Sequence, residues 1–122
     1  MTTYFISGHL DLTATEFAEH YAPQIASAIA EGASFVVGDA RGCDRMAQIY
    51  LREAGAQNVR VFHMFSAPRH NVGFPTVGLF STDHARDTAI TSESDADIAW
   101  VRPGRERSGT AANLLRRGQK PR

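Results

Sequence analysis

The chain has one cysteine, no excess charge of either sign and no long apolar run, and each shortage removes a class of protein. Cys43 alone can make neither an internal disulfide nor a cysteine cage, so no metal site is expected and a reducing, cytoplasmic setting is. Thirteen basic residues cancel thirteen acidic ones, so no global field draws the chain toward nucleic acid or an anionic membrane, and neither is an expected partner. The one basic cluster, Arg116, Arg117, Lys120 and Arg122, is expected to be a solvated tail. No apolar stretch approaches the ~20 residues of a membrane span. The opening MTTYFISG lacks the charged flank and apolar length of a secretory signal, so a soluble chain is expected. There is no internal repeat, and 122 residues accommodate one modest core: a single domain over 1–118 with 119–122 as a tail.

What is present alternates between two periods. Tyr4-Phe5-Ile6, ending in Ser7-Gly8, predicts a buried first strand. Thr13 with Glu16 forms a capping box before a helix carrying Phe17, Tyr21, Ile25 and Ile29, which Pro23 must kink or break. Ser34 to Val37 predicts a second strand, apolar throughout as for a strand covered on both faces. Ala47, Tyr50, Leu51 and Ala54 mark a helix from Cys43 that is closed by Gly55. Val59 to Phe65 predicts a third strand. The stretch 66–81, with two prolines and two glycines, reads as a long binding loop or lid. A helix over 82–91, a fourth strand over 98–101 and a helix from Ser108 to Gly118 complete the chain.

Such alternation predicts an α/β, Rossmann-like three-layer sandwich with a mostly parallel four-stranded sheet in the order 3-2-1-4. Strands one and four would then be neighbours whose helices leave on opposite faces. That switch point is where open α/β sheets bind ligands.

Three loops converge there. In the first, Ser7 offers a hydroxyl, Gly8 a close backbone approach, and His9 with Asp11 a pair that could orient one another; a plain tight turn is the alternative. In the second, Gly38, Arg41 and Gly42 precede a helix N-terminus suited to an anion. Asp44 reads equally as a cap on that helix and as an acceptor for a ribose hydroxyl, while Cys43 reads as a packed residue. In the third, Arg105, Arg107, Ser108, Gly109 and Thr110 open the last helix with donors and a serine cap. Two helix N-termini on one crevice make an anion site.

At these residues the chain resembles the SLOG superfamily, Rossmann-like domains that include the LOG and DprA proteins and small domains with a GGARGAD signature. GDARGCD, Gly38 to Asp44, is similar to that signature, and SGTAANLL, Ser108 to Leu115, to the family's second glycine-threonine helix start. Arg86-Asp87, Ser94-Asp95 and Ser108-Gly109-Thr110 are similar to nucleoside 2-deoxyribosyltransferases. The resemblance implies nucleotide-binding chemistry through Ser7, Gly8, Gly38, Arg41, Gly42, Asp44, Arg86, Ser108, Gly109, Thr110 and Asn113. It also has departures. Asp39 stands where the signature has its second glycine, bringing an anion that Arg41 or Arg105 would have to offset, and Asn113 stands where the enzymes carry a glutamate.

Two functions follow as expectations. The first is a protein that binds a nucleotide- or nucleoside-derived small molecule, as sensor or carrier, with no further cofactor. The alternative is a hydrolase or transferase acting at an N-glycosidic bond, with Asp87 and His9 handling protons. Asp11, Asp44 and Asp95 are further candidates for the missing carboxylate. Trp100 on an exposed edge strand suggests a homodimer or higher homo-oligomer.

Overall fold

A computed structural model describes residues 2–119. Five strands, β1 (Thr3–Ser7), β2 (Ser34–Val37), β3 (Val59–Met64), β4 (Thr76–Phe80) and β5 (Ala96–Ala99), form one parallel sheet in the order β4-β3-β2-β1-β5. The sequence-based order 3-2-1-4 survives for the strands it contained, but the sheet has five strands rather than four. The stretch 66–81 is not all loop, since β4 lies within it and pairs with β3 on the outer edge.

β4 escapes pattern reading because an edge strand has little to bury, and this one is broken by a bulge. Phe62 and Met64 face Val77 and Phe80, so β4 carries one residue more than its partner, and Leu79 takes up the slack at φ 73°. Gly78, which looks like a loop residue, lies where a side chain would meet the ring of His63 at 2.1 Å.

Five helices cover the sheet: α1 (Ala14–His20), α2 (Ala22–Ala30), α3 (Cys43–Glu53), α4 (Asp83–Glu93) and α5 (Gly109–Gln119). Thr13 and Glu16 make both bonds of the capping box, at 3.1 and 2.9 Å. The expected break falls at Tyr21, which ends α1 and starts α2, leaving Pro23 in a first turn where its missing N–H costs nothing.

The expected stop at Gly118 does not occur, for α5 runs through it. Arg117 holds that last turn: it reaches Asp97 at 3.0 Å, the Ser94 carbonyl at 2.7 Å and the Thr91 carbonyl at 3.2 Å. It is therefore a bracket between α5, β5 and α4 and not part of a solvated tail; Lys120 and Arg122 lie outside the described residues. The last strand also ends earlier than expected, at Ala99. Trp100 leaves the edge to stack its ring on His20, ring centres 4.0 Å apart, and its backbone N–H donates to the Tyr21 hydroxyl.

Strand alternation divides the core. Ile6, Phe35, Val37 and Val61 pack with Phe17, Tyr21, Ile25, Ala47 and Leu51 of α1 to α3. Phe5, Val36 and Phe62 pack with Ile90 of α4 on the other face. Helix α1 follows β1 onto one face and α5 follows β5 onto the other, so the chains leaving the two paired strands diverge, as expected of a switch point. Among the described residues no helix is long and apolar enough to cross a membrane.

Two glycines calibrate the backbone. Gly32 and Gly42 both have positive φ, but a Cβ on Gly32 would meet nothing within 4 Å, whereas on Gly42 it would lie 2.3 Å from the Leu10 carbonyl oxygen. Gly32→Ala is expected to cost about 1–2 kcal/mol, the left-handed penalty alone. Gly42→Ala should cost about 3 kcal/mol or more, because backbone must move as well. Urea midpoints of the two variants check this, and equal losses would contradict it.

Candidate functional site

Tyr21 shapes the mouth of the crevice. Its hydroxyl donates to the Ser7 carbonyl at 2.7 Å and accepts the Trp100 N–H at 3.0 Å, tying β1 to the chain leaving β5. Burial pushes the phenol pKa up, so it remains a neutral bridge. Gly8 follows from this contact, since a Cβ there would lie 2.5 Å from both Tyr21 Oη and Cys43 Sγ. The next residue, His9, is spent on structure at two points. Its carbonyl accepts from Cys43 N–H at 3.2 Å, and its Nε2 accepts from Arg102 N–H at 2.9 Å, which leaves the proton on Nδ1. Burial, then Arg105 and Arg102, hold its pKa below the ordinary value. Asp11 does not orient His9, as its carboxylate pairs with Arg102 and Arg105.

Behind this mouth lies a cleft of about 690 Å³ at the predicted switch point, between the β1 exit, the first turns of α4 and the loop into α5. It gathers most of the expected residues: Ser7, Gly8, His9, Asp44, Arg86, Asp87, Ser108, Gly109, Thr110 and Asn113. Gly38, Arg41 and Gly42 are not among its lining residues. The loop before α3 closes on the protein instead. Ala40 N–H donates to Asp44 at 3.1 Å, Cys43 N–H goes to His9, and Arg41 is exposed. Asp95 binds the Thr3 N–H at the far end of β1, 2.9 Å away, which removes it from the candidate carboxylates.

The α4 wall is charged and internally paired. Asp83, Arg86 and Asp87 share one helix face, and the buried Arg86 guanidinium donates to Asp87 at 3.0 Å and pairs with Asp83 at 3.1 Å. The same group reaches Asp39 at 2.8 Å. Asp39 also receives the Arg69 side chain at 2.8 Å and the Arg69 N–H at 2.8 Å. The offsetting cations are thus Arg69 and Arg86, not Arg41 or Arg105. Burial works to raise the Asp39 pKa, but the Arg69 hydrogen bonds and the charge of Arg86 outweigh it and leave the carboxyl below its ordinary value. Asp44, also buried, is pushed up to about 7 by burial, which Arg86 opposes only in part. It serves as an acceptor for Ala40 N–H and lines the cleft, so both readings of it hold a piece of the geometry.

The α5 wall is neutral. Ser108 caps the helix by accepting the Ala111 N–H at 3.2 Å, and Thr110 and Asn113 are buried against the cleft. The Ser7 hydroxyl is buried with no partner. At the rim stand Arg69, Arg105, Glu106 and Arg107; Arg69 and Asp83, which also lines the cleft, had no site role assigned from the sequence. Arg69 lies in the stretch taken for a lid, where nothing in the sequence says which residue turns inward. Asp83 carried one signal, its spacing of three from Arg86. Among the described residues no group of three or more His, Cys, Asp or Glu is placed to hold a metal ion.

Comparison with protein-family models, curated proteins and solved structures gives no match.

The Asp44 value sets a pH dependence. Because it stands above the ordinary 3.8, the native state keeps a proton that the unfolded chain has lost. Its stabilising contribution is full below that value and is lost as pH rises through about 7. Asp44→Asn should therefore flatten the decline of unfolding free energy between about pH 4 and pH 7 by about one proton. Urea denaturation of both proteins over that range isolates the group, and superimposable profiles would rule the shift out.

Proposed function

We propose that the protein binds a nucleotide- or nucleoside-derived small molecule in this cleft, as a sensor or carrier. The carrying observation is the pairing, in one cleft at the switch point, of the α5 N-terminus flanked by Arg105 and Arg107 with the buried, unpartnered hydroxyl of Ser7. Backbone N–H groups in the first turn of a helix, with cations beside them, suit a phosphate. Neutral polar groups deeper in suit the uncharged part of the same molecule, and the volume is of the order usual for small-molecule sites. The resemblance to SLOG domains points the same way for the α5 motif. It is weaker for the Gly38–Asp44 motif, whose Ala40 and Cys43 amides bond to the protein itself.

A second reading, N-glycosidic cleavage or transfer, is favoured by one observation: Asp44 and Asp87 both line the cleft, and Asp44 is held near neutrality. Asp87 is the better placed partner; His9 has committed its acceptor nitrogen to Arg102. A cytoplasmic setting fits the single buried thiol. A homo-oligomer fits a sheet with open edges at β4 and β5, the former exposing Leu79.

Calorimetric titration with nucleosides, nucleoside mono- and diphosphates and inorganic phosphate tests the reading. A phosphorylated nucleoside should bind, more weakly as salt rises, and Arg107→Ala should weaken it about tenfold, the loss of one charge-assisted contact. Chromatography of the same mixtures for free base decides between the two readings. No binding by any member of the panel defeats both.

A further inference from the structure

The two walls of the cleft differ in a way that bears on which part of a ligand each one reads, granted the nucleotide reading above. On α4, Arg86 is already spent on Asp39, Asp83 and Asp87, so that wall holds more carboxylates than guanidiniums and has no unpaired cation to offer a ligand. On β1 and α5 the buried polar groups are uncharged, and the Ser7 hydroxyl has no protein partner.

Asn113 is the informative member. Thr110 and Asn113 are three residues apart and therefore share one face of α5, and Asn113 is only 3% exposed. Its Oδ1 accepts a hydrogen bond from Arg116. A guanidinium has donors only, so this contact dictates which end of the amide faces Arg116 and leaves the NH₂ end for the cleft. Arg116 is itself held by His84 Nδ1 at 2.8 Å, across on the first turn of α4. For the same reason that ring nitrogen acts as the acceptor. A side chain that could offer either a donor or an acceptor is thereby committed to one.

We infer that Asn113 is a specificity-determining residue. Its amide donates to a hydrogen-bond acceptor, a carbonyl oxygen or ring nitrogen, on the uncharged moiety of the ligand, and the His84–Arg116 pair sets that polarity. Buried polar sites of this kind discriminate strongly, because a ligand lacking the matching group leaves the protein's own donor unpaired. A carboxylate at the same position would accept where Asn113 donates, so the departure from the enzyme pattern changes what the site reads.

The test compares two probes on the same variants: the 5′-monophosphates of adenosine, guanosine, cytidine and uridine, and inorganic phosphate alone. Asn113→Leu should weaken the tightest-binding monophosphate at least tenfold and change phosphate affinity less than twofold. In a double-mutant cycle, Arg116→Met should add little once Asn113 is gone, since it acts through that amide. Asn113→Ser keeps a small polar group and stands in if leucine does not fold at this buried position. Unchanged monophosphate affinity overturns the inference while leaving the nucleotide reading intact. Equal loss of both probes also overturns it, making Asn113 a packing residue. Failure of the unmodified protein to bind any monophosphate is a different result: it removes the nucleotide reading and this inference with it.

Discussion

A carboxylate with no solvent exposure at all cannot stay ionised unless cations come to it, and Asp39 is such a carboxylate. Arg69 and Arg86 both come. Arg69 draws the chain between β3 and β4 down over the sheet, and Gln48 holds the same segment through the His70 carbonyl at 3.1 Å and the Val72 N–H at 3.2 Å. Arg86 draws in the first turns of α4, whose Asp83 and Asp87 then complete its coordination. One buried charge thus sets the position of a loop and of one wall of the cleft.

The opposite wall follows from a neutral constraint. Tyr21 is buried between two helices and bonds both to β1 and to the chain leaving β5, so the two strand exits are held at a fixed point. Gly8 and Gly42 allow the surrounding backbone to close to distances no side chain permits. Arg102 extends the bracket to α1, holding Glu16 at 2.7 and 2.8 Å, and brings the loop toward α5 alongside. The cleft is therefore pre-formed between an internally paired, carboxylate-rich face and a neutral one, with Arg105 and Arg107 beside the α5 N-terminus at its rim. That distribution suits a ligand with one anionic end and an uncharged body.

Much of the architecture was legible because local signals agreed with one another. The capping box, the break near Pro23 and the helix before Gly55 each rest on contacts within a few residues, and the second strand announces its two-sided burial in its own apolar composition. β4 was not legible, as its pairing is one-sided and its Gly78 answers to His63, distant in the chain. Arg117 looked like a tail residue because its partners, Asp97 and Ser94, lie some twenty positions earlier.

Among the residues expected at the site, Ser7, Asp44 and Thr110 line the cleft because strand exits and helix starts are readable from periodicity, whereas Asp87 and Asn113, which also line it, were singled out by resemblance. The roles assigned to Arg41, Gly38 and Gly42 were not carried into the cleft, because a glycine-rich turn looks the same whether it wraps a ligand or its own protein. The sequence alone determined the layers and the crevice at the carboxyl ends of the strands, both consequences of short-range pattern and chain geometry. Which charges neutralise Asp39, which end of the Asn113 amide is free, and which cations remain for a ligand were decided only by tertiary structure, since ion pairing depends on distances between residues that the chain order leaves far apart.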